Sequence, residues 1–196
     1  MHYTRMGIFE GVQVSVVLPW HPSHGLRESF IAMSSLQEAV IEYKKQLQKG
    51  VIQEAYRGLL TFTMALKLHF EKRFPEQTVP GNFYQGYMDM SYFAIIPDAL
   101  KRRKLKIAVV LVHDTCRFEV WLAAYNKSIQ STYWRLFKEH GYTKHRVVES
   151  PKGTDSIVEH VLVENPDFSD LDGLTQCIER EVTVFIEDIC EFLSHL

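Results

Sequence analysis

Residues 106–125, KIAVVLVHDTCRFEVWLAAY, are where the chain changes from the period of a helix to the period of a strand. Two runs rich in Val, Ile, Leu and aromatic residues, 106–113 and 117–125, are separated only by Asp114-Thr115-Cys116. A connection that short joins antiparallel strands, because a parallel pair needs a crossover of a dozen residues or more. In the second run Phe118, Val120, Leu122 and Ala124 alternate with Arg117, Glu119, Trp121, Ala123 and Tyr125. The pleat sends the first set toward packed helices and leaves the second as an outward row of polar and aromatic groups. A third run of the same character over 90–96 completes an antiparallel meander.

Working outward, the flanks read as helices. Ser35-Leu36-Gln37-Glu38 has the form of a capping box, followed by Leu36, Ala39, Val40, Tyr43 and Leu47 at helical spacing and a stop at Gly50. A second helix over 52–74 carries Ile52, Ala55, Tyr56, Leu59, Phe62, Leu66 and Phe70 on one stripe and ends at Pro75. The short link makes the two a helical hairpin. Beyond the meander come a helix over 128–140 stopped by Gly141, strands at 145–149 and 157–163, and a long helix capped near Ser169. Its stripe is Leu171, Leu174, Ile178, Val182, Phe185, Ile189 and Phe192. The expected fold is α+β: an N-terminal helical hairpin, a central, mostly antiparallel sheet and a long C-terminal helix.

The first 33 residues read differently. VQVSVVL at 12–18 alternates like one isolated strand with no partner nearby, and the breakers Pro19, Pro22 and Gly25 follow it. We expect residues 1–33 to be an extension, Met33 standing just before the first helix signal, and residues 34–196 to form one domain. At 196 residues and 46% apolar content the chain can bury a core without staples. Its three cysteines form no C-x-x-C pair, and no apolar run approaches the ~20 residues that span a bilayer. A cytoplasmic protein with no membrane partner is expected. Residues 1–149 hold 20 Lys/Arg against 13 Asp/Glu, and 150–196 hold 2 against 11, so the acidic C-terminal part should lie on the basic remainder.

The strings YKKQLQKG (43–50), IQEAYRGLL (52–60), GYMDMSYF (86–93), LKRRKLKIAVV (100–110), RFEVWLAAYNKSIQ (117–130) and NPDFSDLD (165–172) together resemble a bacterial family known only as an uncharacterised domain. The resemblance covers about 35–196. It implies a compact single domain and carries over no catalytic or binding residue.

The residues offer several surfaces. Arg117, Glu119, Trp121 and Tyr125, followed by Asn126, form a row suited to a partner or a planar ligand. Tyr84, Tyr87, Asp89, Ser91 and Tyr92 form an aromatic, hydroxyl-rich segment that could line a pocket or a helix–sheet seam. Lys101, Arg102, Arg103, Lys104 and Lys106 are dense enough for phosphates, although a solvated turn or a partner for the acidic helix explains them more simply. The element order also matches the core of restriction-endonuclease-like nucleases. That chemistry needs paired carboxylates on Mg²⁺ and a lysine, but Trp121 stands where the lysine belongs. Asp89 or Asp114 with Glu119, and Lys106, would have to serve. His113, His140, His145 and His160 form no H-x-x-x-H pattern, and Cys116 near His113 lacks an evident oxyanion hole, so neither a metal nor a cofactor is expected. The expected function is a non-enzymatic interaction or regulatory module that self-associates or binds another protein. A divergent Mg²⁺-dependent nuclease or a small-ligand binder is the alternative.

Overall fold

The computed structural model describes residues 35–196, together with the backbone of two strands near the N-terminus. Those strands, β1 (Arg5–Phe9) and β2 (Val12–Val16), pair antiparallel in a sheet of their own. The strand expected to be isolated therefore has a partner, which RMGIF hides because it lacks period-two alternation. The breakers Pro19, Pro22 and Gly25, and Met33, lie outside the described residues.

Two helices come next, α1 (Leu36–Gln48) and α2 (Val51–Arg73), and then β3 (Phe83–Tyr84), β4 (Met90–Ile95), the one-turn α3 (Asp98–Lys101), β5 (Leu105–Val112) and β6 (Arg117–Ala124). The chain closes with α4 (Lys127–Glu139), β7 (Arg146–Val147), β8 (Ser156–Val163) and α5 (Leu171–Ser194). The larger sheet has the order β3-β4-β5-β6-β8-β7, and all its pairings are antiparallel. The fold is α+β, as expected. β3 and α3 have no sequence signal because two and four residues cannot display a period. The strand expected over 145–149 keeps ladder pairing only at Arg146 and Val147. The cap of α5 is Asp170 rather than Ser169, its carboxylate accepting from the Gly173 N–H at 2.9 Å.

The register confirms the two faces of β6. Phe118, Val120 and Leu122 are fully buried in one core with Phe93 and Ile95 of β4 and Ile107, Val109 and Leu111 of β5. Phe62, Leu66 and Phe70 of α2 cover that face, beside Leu174, Ile178, Val182, Phe185, Ile189 and Leu193 of α5. Burying the apolar side chains of two long helices on one sheet is the main source of stability here, each contributing about 1.5–3 kcal/mol before entropy is subtracted. On the opposite face a smaller cluster joins Met90, Ala108 and Val110 to Tyr84, Tyr92, Val112 and Trp121.

The charge asymmetry resolves inside the molecule. Glu179 of α5 meets His69 and Arg73 of α2, and Asp188 and Glu191 meet Lys144. Among the described residues no helix is long and apolar enough to cross a membrane.

Candidate interaction surface

The helical hairpin begins as its sequence dictates, with Ser35 Oγ accepting from the Glu38 N–H at 3.3 Å. It turns through Lys49 and Gly50, where Gly50 takes φ +77°, a left-handed conformation that costs an L-residue about 1–2 kcal/mol. The Gln53 amide clamps the turn by donating to the Leu47 carbonyl at 2.7 Å. The packing of the two helices departs from expectation. None of the α1 residues is buried, and in α2 burial starts only at Phe62. Leu36 is 80% and Tyr43 60% exposed, and Ile41, Val51, Ile52, Met64 and Leu68 are exposed as well. Of the stripe that reads as a core face from spacing, Phe62, Leu66 and Phe70 are buried and Ala39, Val40, Leu47, Tyr56 and Leu59 half-buried, while Leu36, Tyr43 and Ile52 at the far end of the hairpin stay exposed.

The outward row of β6 is knit together rather than open. Arg117 Nε donates to Glu119 Oε1 at 2.7 Å, Trp121 Nε1 donates to Glu119 Oε2 at 2.6 Å, and Arg117 also reaches Glu164 at 3.1 Å. Glu119 is only 6% exposed, so it is a buried acceptor and not a surface carboxylate. Burial pulls the Arg117 guanidinium down, but Glu119 and Glu164 together hold it above its ordinary value. Tyr125 lies at the exposed end of the row, and Asn126 is the N-cap of α4, accepting from the Ile129 N–H at 2.9 Å. On the same face Tyr84 and Tyr92 stack at 4.9 Å, burial pushes the Tyr92 phenol up to about 12, and the Lys106 ammonium lies 5.8 Å from the Tyr92 ring centre. Burial lowers the Lys106 pKa against the pull of Asp155.

Tyr87 and Asp89 are exposed just before β4. There Ser91 Oγ lies 2.9 Å from His113 Nε2, and the Tyr56 ring packs 5.3 Å from the His113 ring. Burial lowers the His113 pKa against the charge of Asp89. Ser91 is fully buried, so this pair ties β4 to the end of β5 and does not present a nucleophile. Cys116 is exposed, its thiol contacting the His113 carbonyl at 3.4 Å.

The basic run divides. Lys101, Arg102 and Lys104 are exposed, Arg103 donates to the Leu193 carbonyl at 2.7 Å, and Lys106 stands on the Tyr92 side of the sheet. The residues a nuclease would need do not assemble either. Glu119 is opposite Val110, Lys106 is opposite Ala123, Asp89 accepts the His113 N–H at its carbonyl, and Asp114 is in the β5–β6 turn. Spacing along the chain also missed His145 and His160, whose rings meet at 4.7 Å.

These features define a class: an α+β protein with one large antiparallel sheet, a helix-covered core and a helical hairpin whose first helix buries no side chain. The chain belongs to the DUF7000 family, a domain of unknown function, whose family model matches residues 36–193. The match runs from the start of α1 into the last turn of α5. No curated protein and no solved structure matches the chain.

Proposed function

We propose that the chain is a non-enzymatic interaction module of the bacterial cytoplasm that works as a homo-oligomer, with the α1–α2 hairpin as the contact between copies. The observation that carries this reading is the exposure of Leu36 and Tyr43, seven residues apart and so on one face of a helix with no buried residue. An apolar stripe of this kind is a liability unless a partner covers it. A second copy is the occupant we favour, because α1 is acidic in its first half (Glu38, Glu42) and basic toward its end (Lys44, Lys45 and the C-cap Lys49). Two such helices approaching antiparallel about a two-fold axis bring opposite signs together. The polar groups elsewhere, Glu119 with Arg117 and Trp121, and Ser91 with His113, already satisfy one another.

Sedimentation across a concentration series tests this, comparing the unaltered chain with a Leu36→Ser, Tyr43→Ser variant. The expected result is an assembly of more than one chain that the variant loses, with its melting temperature unchanged within about 2 °C because neither side chain supports the isolated fold. A monomer at every concentration, or an assembly indifferent to the substitutions, removes the hairpin as the contact.

A further inference from the structure

Between Tyr142 and Val148 the chain is anchored firmly at both ends and lightly in the middle. Tyr142 packs its ring 5.0 Å from that of Phe137 and 4.8 Å from that of Phe192, while Val148 donates its N–H to the Ile157 carbonyl at 3.1 Å and accepts the Trp134 indole at 2.9 Å. β7 itself pairs with β8 only at Arg146 and Val147. The stretch before it is held to α5 by Lys144, which reaches Asp188 at 2.6 Å and Glu191 at 2.7 Å, and by His145, whose Nε2 lies 3.0 Å from Asp188.

His145 is placed to be neutral. Lys144 holds the Asp188 carboxyl below its ordinary range, and an ionised carboxylate only accepts, so His145 Nε2 carries the proton and Nδ1 keeps a lone pair. That Nδ1 is buried with no hydrogen-bond partner among the described residues, on a side chain only 8% exposed. A second proton would therefore create a buried N–H with no acceptor. The nearby Tyr142 hydroxyl makes no hydrogen bond to it either.

The surrounding charges oppose that proton as well. The His160 ring of β8 is 4.7 Å away, so two imidazolium ions there would repel, and Lys144, Arg146 and Arg117 line the same cleft. The carboxylates in reach already have cations: Asp188 has Lys144, Glu159 has Arg146, Glu119 has Arg117, and Glu181, 4.0 Å from His160, has Arg180. From α5 the Phe185 ring closes the pocket at 4.8 Å, and α4 meets the segment through Phe137 and Trp134, neither of them charged. Burial first, then the charges of His160 and Lys144, hold the His145 imidazole below its ordinary pKa against the pull of Asp188.

We propose that His145 is an acid-sensitive latch at the edge of the sheet: residues 143–147 stay docked on β8 and α5 while the imidazole is neutral, and open locally when it takes up a proton. The direction follows from linkage. A histidine held below its ordinary value of about 6.5 in the docked form favours docking fully above that pH, and the preference is lost as pH falls below it. One pH unit below 6.5 should shift the opening equilibrium about tenfold.

The test is amide hydrogen exchange of the full chain at pH 7.5 and 5.5, corrected for the intrinsic exchange rate, together with the imidazole titration of His145 followed by NMR. We expect protection over 143–147 to be lower than that of β5 at both pH values and to fall about tenfold at pH 5.5, with the docked His145 still neutral. His145→Gln should abolish the fall, whereas His113→Gln, which removes the other histidine that burial holds down, should retain it. His160→Gln removes only the neighbouring charge from a partly exposed position and should make the fall smaller, which keeps the test decisive if His145→Gln fails to fold. A His145 that titrates at 6.5 or above while the segment stays protected overturns the latch. So does protection over 143–147 that matches that of β5, since the segment would then open only with the whole molecule.

Discussion

Val120 and Glu119 are neighbours in sequence and opposites in environment, and the pleat of β6 is the reason. Val120 is fully buried between α2 and α5, where a carboxylate would lose its water with no donor to replace it. Val120→Asp should therefore cost more than about 3 kcal/mol and leave little folded protein. Glu119 is buried too, but it receives Arg117 and the Trp121 indole, so Glu119→Ala removes an acceptor and strands two donors, costing about 1–3 kcal/mol. Urea titration of both variants checks the difference. Equal losses would mean that the faces of β6 are energetically alike, contrary to the register. Alternation made the two faces legible in the sequence. The burial of Glu119 was not, because a row of polar residues reads the same whether its members face water or one another.

The same division holds for whole elements. The Ser35 cap of α1, the α1–α2 turn at Gly50 and the stripe of α5 were legible from residue type and spacing, since each rests on local hydrogen bonds or on a period sustained over many residues. The exposure of α1 and of the first turns of α2 was not. Leu36, Val40, Tyr43 and Leu47 recur as they would on a core face, but periodicity says only that a stripe exists and not what covers it. The basic run shows the converse, since its five cations read as one patch and have different duties. Arg103 donates to the Leu193 carbonyl in the last turn of α5, where a cation also meets the negative end of the helix dipole. Arg103→Ala should cost about 1 kcal/mol of stability by urea titration, whereas Lys101→Ala, Arg102→Ala and Lys104→Ala should each stay within about 0.5 kcal/mol. Four equal small losses would show that Arg103 does not cap α5.

At the scale of the molecule, the question is whether the order of elements brings nuclease chemistry with it. A metal-dependent nuclease holds Mg²⁺ between carboxylates and keeps a lysine near the attacking water, so these groups must converge within a few ångströms. The sheet register keeps them apart. Glu119 is opposite Val110 and is occupied by Arg117 and Trp121, while Lys106 lies four residues further back along β5, beside Tyr92. Asp89 and Asp114 belong to loops at the other end of that strand, and Trp121 stands where the lysine of such a site belongs. Fold likeness alone does not supply the missing convergence. The purified chain should therefore leave single- and double-stranded DNA and RNA uncut in Mg²⁺ or Mn²⁺. The assay includes Glu119→Ala because that carboxylate is the one member any such site would require. Cleavage that appears with the metal and vanishes with the substitution would displace the interaction-module reading. Cleavage that survives the substitution would point to a contaminant, because Glu159, the carboxylate paired across the sheet from Trp121, is tied to Arg146 and Ser156.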